Sequence, residues 1–163
     1  IHAYSEAIRV DLSAEEPNLL RGNLWRKMYH FQNALFDFTR VIEMNPENKA
    51  ALYCRGQAYK EMEVYDEAEK DFRMLLELDA NDNTAMNLLA EIHFIKSEYE
   101  HGLEMLNKSI LIEPTYDALT LRGFTHDKMG NRKLAKEDFK KALDLYPETY
   151  EYLKNILEEL ENT

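Results

Sequence analysis

The sequence predicts an all-α fold in which antiparallel helix pairs stack into a solenoid. First, an Arg-Gly motif recurs at Leu20–Gly22, Cys54–Gly56 and Leu121–Gly123. The first and second of its three glycines are 34 residues apart, and the second and third are 67 apart. Second, turn signals recur in the same phase. Third, apolar residues follow helical spacing and the alternation of strands is absent. A period of this length is typical of repeat proteins built from helix pairs.

The spacing of 67 residues is about twice 34, which predicts a unit without Arg-Gly between the second and third glycines. Leu88-Leu89-Ala90 lies 34 residues after Cys54-Arg55-Gly56 and supplies that unit. Four turn signals end the units, because proline lacks an N–H and ends a helix: Asn45-Pro46, Asp79-Ala80, Glu113-Pro114 and Tyr146-Pro147. We therefore expect four complete units, at 15–48, 49–82, 83–115 and 116–149.

The two ends of the chain extend this array. Residues 1–14 are expected to form the second helix of a truncated earlier unit, so we expect the chain to be part of a longer protein. Residues 150–163 are expected to form an added helix. An apolar stripe along it indicates a cap on the last hairpin, with docking to a partner or to a second copy as the alternative. The stripe consists of Leu153, Ile156, Leu157 and Leu160.

Each unit contains two helical patterns with one small residue in each helix. In the second unit the apolar faces are formed by Leu52, Gly56 and Tyr59, then by Ala68, Phe72 and Leu75. The third unit exchanges the small residues, with Ala90 in its first helix and Gly102 in its second. We expect these small residues to allow two helix backbones to approach closely, since a larger side chain would overpack the contact.

These residues resemble the tetratricopeptide repeat (TPR) family. The pattern of that family combines a small residue and an aromatic in the first helix, an alanine, an aromatic and a small residue in the second, and a final proline. The first unit matches it at Gly22, Trp25, Ala34, Phe38, Val41 and Pro46. The resemblance covers the whole chain. It implies a right-handed solenoid of helix pairs that binds a peptide or a partner protein on its concave face.

Charged residues recur in pairs across the units. Arg21, Arg55 and Arg122 precede the three glycines, and sixteen residues later stand Asp37, Asp71 and Asp138. The third unit replaces both members together, with Leu89 and Met105. We expect each arginine to face its aspartate inside the hairpin and Leu89 to pack on Met105. The alternative is that these charges are solvated separately.

The resemblance also predicts the residues of the concave face. In the first two units these are Asn23, Arg26 and Lys27, then Tyr53, Gln57 and Lys60; in the last two they are Asn87, Leu88, Glu91, Phe94 and Ile95, then Phe124. The basic side chains at one end and the apolar ones at the other predict an amphipathic ligand segment. Its apolar side would lie at Phe94 and Phe124, and its acidic residues near Lys60. Alternatively, Phe94 and Ile95 pack between neighbouring units or beneath the terminal helix.

A clamp for the carboxylate of chaperone tails is a known binding site in this family, and this sequence argues against it. Asn23 matches one asparagine of the clamp. Its lysine, its second asparagine and its final lysine and arginine are replaced by Leu19, Cys54, Thr84 and Leu88.

Several other classes of function are disfavoured. The net charge of −11 disfavours nucleic acid binding, which needs a basic face. No apolar run approaches the length of a membrane span. The single cysteine, Cys54, excludes an intrachain disulfide and a cysteine-based zinc site, and we expect a reducing, cytoplasmic location.

The sequence predicts neither a catalytic site nor a cofactor. No set of nucleophile and base stands out, and His93 and His126 fall where Trp25 and Tyr59 stand, which indicates packing between helices. With no clustered histidine motif, we expect no metal site. The sequence therefore favours a scaffold for protein–protein interaction rather than an enzyme. The alternative is a structural module that self-associates or packs on other domains.

Overall fold

The computed structural model describes residues 1–11, 14–145, 147 and 151–161, which form ten α-helices and no strand. The all-α prediction is confirmed. The helices are α1 (His2–Val10), α2 (Glu15–Lys27), α3 (Phe31–Met44), α4 (Lys49–Glu61), α5 (Tyr65–Leu78), α6 (Asn83–Ile95), α7 (Tyr99–Ile112), α8 (Tyr116–Lys128), α9 (Arg132–Leu145) and α10 (Glu151–Glu161). Tyr146 and Tyr150 lie outside the described residues.

Side chains at the turns decide where α4, α6 and α8 begin. Asn48, Asp82 and Thr115 each precede one of these helices, and each accepts a hydrogen bond from the backbone N–H three residues later. Such caps satisfy amide groups that have no partner inside the helix. The cap residue therefore fixes the first residue of the helix that follows.

Each helix pair closes through the same three-residue turn. Its middle residue adopts a left-handed backbone, at Tyr29, Glu63, Ser97 and Gly130, with φ of 60°, 61°, 61° and 79°. The next residue donates its N–H to a carbonyl of the preceding helix five residues back. In the α6–α7 turn, Glu98 N–H donates to the His93 carbonyl at 2.7 Å. The turn thus places residues five apart side by side.

The helices form two compact units, Ile1–Ala80 and Asn81–Thr163. In the first unit α1 packs on α2, the pairs α2–α3 and α4–α5 form hairpins, and α3 packs on α4. Its most deeply buried aromatic side chains are Phe38 and Phe72.

The second unit contains the hairpins α6–α7 and α8–α9, with α7 against α8 and α10 against α9. Leu153, Leu157 and Leu160 of α10 are buried in a cluster with Leu119 and Phe139, and Ile156 packs against that cluster. The apolar stripe of α10 therefore covers the α8–α9 hairpin.

The glycines of the first helices make room for a ring rather than for a second backbone. A Cβ placed on Gly22, Gly56 or Gly123 would lie 2.6, 2.5 or 2.5 Å from the ring of Phe38, Phe72 or Phe139, respectively. A larger side chain would overpack these three positions, as expected, but the nearest neighbour is the phenylalanine ring of the second helix and not its backbone.

Gly102 differs from these three glycines. The nearest atom to a Cβ there would be the Ala90 carbonyl oxygen, at 3.4 Å, which is an ordinary contact distance. The α6–α7 hairpin therefore has backbone near its glycine, as expected, yet it leaves room for a methyl group.

Candidate functional site

Three hairpins contain a buried ion pair between their two helices. Arg55 donates from Nε and Nη2 to the two carboxylate oxygens of Asp71, at 2.9 and 2.7 Å. Arg21–Asp37 and Arg122–Asp138 form the same two-bond arrangement, with distances of 2.6 to 2.8 Å. The aspartates are almost fully buried, with 1 to 4% of their side chains exposed. A planar guanidinium matches a carboxylate in this way and a lysine does not.

Each of these arginines also contacts the helix that precedes its hairpin, which the sequence did not predict. The Nη1 atoms of Arg21, Arg55 and Arg122 donate to the side chains of Ser5, Thr39 and Asn107 at 3.0, 3.2 and 2.8 Å. One side chain thereby joins three helices.

Burial and the attraction between the opposite charges have opposing effects on the pKa values of the ion pair. Burial raises the pKa of the Asp71 carboxyl, and the hydrogen bonds and charge of Arg55 oppose that rise. The hydrogen bond to Asp37 raises the pKa of Arg21, against the effect of burial. In each pair, the attraction between the two opposite charges therefore opposes the cost of removing them from water.

The α6–α7 hairpin has no such pair. Leu89 is buried and Met105 is half-buried. Met105 packs against the cluster formed by Ala90, Leu106 and Ala118. An apolar contact region thus replaces the charged one.

A groove of about 570 Å³ lies between α6 and α8 in the second unit. Four of the residues predicted for the concave face line it: Asn87, Leu88, Glu91 and Phe124. The remaining lining residues are Thr84, Thr115, Asp117, Thr120 and Leu121. The lining combines three apolar side chains with two carboxylates, and among the described residues it includes no lysine, arginine or histidine.

Contacts within the protein fix several of the side chains that line this groove. The ring of Phe124 packs on that of Phe139, with centroids 5.0 Å apart. The Thr120 hydroxyl donates to the carbonyls of Tyr116 and Asp117 at 2.8 and 3.0 Å. The Asn87 side-chain oxygen accepts a hydrogen bond from Ser109 at 2.6 Å. The groove is therefore lined by side chains with defined positions.

Phe94 and Ile95, also predicted for the concave face, do not line this groove. Phe94 stacks on Tyr99 across the hairpin turn, with ring centroids 5.8 Å apart. Ile95 is 44% exposed at the end of α6. The two residues predicted for one apolar end therefore have different surroundings, since Phe124 lines the groove and Phe94 contacts Tyr99 of α7.

Most of the predicted residues in the first unit are engaged within the protein. Arg26 forms an ion pair with Glu61, and Gln57 donates to the Tyr53 hydroxyl at 3.0 Å. Tyr53 packs against the core cluster of Ala34, Phe38 and Cys54. Asn23 and Lys60 are half-buried and also interact within the protein, whereas Lys27 is exposed.

Two groups in the hairpins, the buried Cys54 thiol and the half-buried His126 ring, have perturbed acidity. Burial raises the pKa of the Cys54 thiol, while a hydrogen bond with Asn23 and the charge of Arg26 work against it. Burial lowers the pKa of His126, the charge of Asp138 opposes this, and that of Arg122 adds to it. Nδ1 of His126 is buried and has no hydrogen-bond partner among the described residues.

The α6–α7 turn gathers three side chains that sequence reasoning did not connect. His93 Nδ1 lies 2.7 Å from Oε2 of Glu98, and the ring of His101 lies 5.5 Å from that of His93. His93 is buried and His101 is exposed. The signal in the sequence is His93, Glu98 and His101 placed on either side of a hairpin turn, which no common metal motif includes.

A family model described as tetratricopeptide repeat matches residues 50–82 and 116–149. These two segments of the chain match the tetratricopeptide repeat. The two matched segments coincide with the α4–α5 and α8–α9 hairpins, which both contain the Arg-Asp pair and the Gly-Phe contact.

Relatives and solved structures agree with this assignment. An alignment of 130 positions with human Tetratricopeptide repeat protein 16 is 28% identical and covers 72% of this chain and 15% of that protein. It is 24% identical over 160 residues to Anaphase-promoting complex subunit 3 of Schizosaccharomyces pombe, covering 98% of this chain and 24% of that one. The chain thus spans less than a third of the length of either relative.

The solved structure of MamA from Desulfovibrio magneticus has the same fold. The two chains superpose with a TM-score of 0.82 at 22% identity, covering 90% of this chain and 83% of MamA. The fold that this chain shares with MamA therefore extends beyond the two hairpins that the family model matches.

Three positions of the carboxylate clamp are occupied by side chains that pack against the core or are buried. Leu19 packs against the first unit's core cluster, and Cys54 is part of it. Leu88 is buried.

In the part of the chain that the structure describes, no helix is long and apolar enough to cross a membrane.

Proposed function

We propose that this TPR chain is a protein-interaction scaffold that binds a peptide in the groove between α6 and α8. The supporting observation is the composition of the groove, which places Leu88, Leu121 and Phe124 beside the carboxylates of Glu91 and Asp117. Aromatic and apolar side chains in a concave site commonly anchor a ligand, and a few polar groups then orient it.

Charge complementarity selects the class of peptide. The groove is lined by two acidic residues and, among those described, by no cationic one. The whole chain has a net charge of −11. A segment with an apolar side chain next to a lysine or arginine fits this lining, whereas an acidic segment is repelled. This proposal replaces the acidic ligand predicted from Lys60 with a basic one.

The amide of Asn87 gives the groove a group that can hold the ligand backbone. Its oxygen accepts from Ser109, which orients the NH2 group as a donor. A peptide carbonyl is the natural acceptor for such a donor.

Synthetic peptides of matched length test the proposal by fluorescence polarisation. One set combines leucine with lysine or arginine, a second combines leucine with glutamate, and a third contains only neutral residues. We expect binding by the basic set, weaker at high salt because exposed charges are screened. Equal binding of all three sets would contradict the proposed site.

Two pairs of variants locate the binding site. Asp117→Asn should weaken the binding of basic peptides, while Glu100→Gln, a first-turn acidic residue of α7 outside the groove, serves as its control. Phe124→Ala should weaken binding, while Phe94→Ala should not, because Phe94 does not line the groove. Circular dichroism of each variant checks that the fold is retained. Equal affinity of Asp117→Asn and Glu100→Gln would exclude this groove.

Self-association is the second candidate, and the exposed aromatic Phe36 on α3 favours it. Phe36 is 62% exposed and lines two grooves of about 850 and 410 Å³ in the first unit. Sedimentation of the wild type and of Phe36→Ser decides between the candidates. A dimer that Phe36→Ser dissociates would favour assembly, whereas a monomer favours the scaffold.

The proposed role does not involve catalysis, and we propose that it is exercised in a reducing, cytoplasmic compartment. Cys54 is the single cysteine and its thiol is buried in the first unit. Free buried thiols persist where disulfides are rare. Fluorescence microscopy of the tagged full-length protein tests the location.

A further inference from the structure

The α6–α7 turn brings together the side chains of His93, Glu98 and His101, whose ligand atoms all lie within 4.8 Å of one another. We propose that these three residues form a binding site for Zn²⁺. The site lies at the turn end of the third hairpin and does not overlap the residues that line the α6–α8 groove.

The backbone of the turn creates the cluster. The hydrogen bond from Glu98 N–H to the His93 carbonyl, at 2.7 Å, holds the last turn of α6 against the start of α7. Glu98 immediately precedes α7 and His101 follows it by three residues, a spacing that brings the two side chains close together. His93 is buried and His101 is exposed, so one imidazole has a fixed position and the other is free to adjust.

The chemistry of the donors selects zinc among common divalent cations. Two imidazoles and one carboxylate form a ligand set that Zn²⁺ accepts, with a fourth position for water. Ca²⁺ and Mg²⁺ prefer oxygen ligands. Zinc bonds of about 2.0 to 2.1 Å place tetrahedral ligands roughly 3.4 Å apart. His93 Nδ1 and Glu98 Oε2 lie 2.7 Å apart, so zinc requires the Glu98 carboxylate to move outward and the exposed His101 side chain to move inward.

The carboxylate of Glu98 is already oriented for this role. Its Oε2 atom lies 2.7 Å from His93 Nδ1, and Lys96 Nζ lies 3.6 Å from Oε1. One oxygen therefore faces the imidazole, and the other is held by a lysine outside the cluster. Outer partners of this kind orient a metal ligand. Zinc would replace the direct contact between His93 and Glu98.

The other hairpins do not reproduce this ligand set at the equivalent positions. They have Trp25, His30 and Asn33 in the first, Tyr59, Val64 and Glu67 in the second, and His126, Asn131 and Leu134 in the fourth. The third hairpin is the one of the four that combines two histidines and a carboxylate. The repeat array thus contains its own controls.

Zinc binding to the intact chain is measured by isothermal titration calorimetry with ZnCl₂ at neutral pH. Co²⁺ serves as a spectroscopic probe, because tetrahedral coordination gives visible absorption bands. We expect one site, with a rise of the melting temperature as zinc is added, since a ligand that binds the folded state stabilises it.

His101→Ala is the decisive variant, because His101 is exposed and its loss leaves the core intact. We expect the zinc affinity to fall by at least about tenfold, because even outer partners of metal ligands contribute about 10- to 100-fold. Glu98→Gln should weaken binding in the same direction. His30→Ala, which removes an exposed histidine of the first hairpin, should bind zinc as the wild type does.

Two results would overturn the proposal. One is the absence of any zinc-dependent heat or shift in melting temperature in the wild type. The other is equal affinity in His101→Ala and His30→Ala, which would show that zinc binds elsewhere on the acidic surface.

Discussion

The second and third hairpins fill the same space between two helices in opposite ways. In α4–α5, the ring of Phe72 lies against Gly56, and Arg55 pairs with Asp71. In α6–α7, Ala90 and Leu106 stand at the positions of Gly56 and Phe72, and Leu89 and Met105 replace the ion pair. In the third hairpin the small residue is larger than in the second, and the large residue opposite it is smaller. Both members of the charged pair are replaced by apolar residues.

This comparison shows that the two residues of a contact differ together between the hairpins rather than one at a time. A phenylalanine needs the glycine opposite it, because a Cβ at Gly56 would lie 2.5 Å from the ring. An aspartate that is 2% exposed needs the guanidinium beside it. Changing one partner alone therefore leaves the other residue strained or without its partner. Substitutions in the hairpins test this conclusion, and they follow in order of decreasing expected effect.

The largest effect is expected for the ion pair. Asp71→Ala leaves the Arg55 guanidinium without its carboxylate, and we expect the free energy of unfolding to fall by about 3 to 5 kcal/mol. Arg55→Leu combined with Asp71→Met copies the third hairpin and should cost much less, since apolar residues of similar volume can replace a buried pair at little cost. Urea unfolding of the three proteins measures both values. If the double variant were as unstable as Asp71→Ala, the two hairpins would not be interchangeable.

An intermediate effect is expected for the glycines. Gly56→Ala should destabilise the protein by about 1 to 3 kcal/mol, because the new methyl group overlaps the Phe72 ring. Gly102→Ala should be neutral or stabilise by up to about 1 kcal/mol, since its Cβ has room and alanine favours a helix. Thermal or urea unfolding compares the two.

Adding Phe72→Leu to Gly56→Ala recreates the Ala90–Leu106 combination and provides the check on this explanation. The double variant should be more stable than the sum of the single changes implies, because the two residues touch. Simple additivity would mean that the ring does not decide the cost.

The smallest effect concerns the third and fourth hairpins, which have His93 and His126 at equivalent positions. His93 lies 2.7 Å from Glu98, whereas Nδ1 of His126 is buried without a partner among the described residues. Burial lowers the pKa of His126 in the folded protein. The unfolded chain, with a pKa of about 6.5, therefore binds this proton first as the pH falls. The contribution of His126 to stability is complete at higher pH and is lost between about 6.5 and the lower folded pKa.

His126→Gln should remove this part of the loss of stability on acidification. The difference between wild type and variant is measured by urea unfolding at pH 7.5 and at successively lower pH. Because other groups titrate equally in both proteins, only the difference counts, and His2→Gln serves as the control. A difference that stays constant with pH would contradict the assigned role of His126.

The sequence by itself determined the helix pairs and the pairing inside them. A period near 34 residues located each hairpin, and the joint appearance and joint loss of Arg and Asp sixteen residues apart predicted which side chains face each other. Both signals are local to one repeat, where a fixed helix length and a three-residue turn convert sequence distance into spatial distance. The same locality let the apolar stripe of α10 be identified.

Only the tertiary structure decided which residues line a site. Phe94 and Phe124 fall on the same predicted face, yet the turn places Phe94 on Tyr99 while Phe124 lines the groove. Arg26 was predicted as a basic ligand-binding side chain, but α4 supplies Glu61 as its partner. The assembly of His93, Glu98 and His101 depends on a left-handed residue, Ser97, that reverses the chain between them. The Arg26–Glu61 contact joins two repeats, and the contacts at the α6–α7 turn depend on its backbone conformation, so the repeat period alone specifies neither.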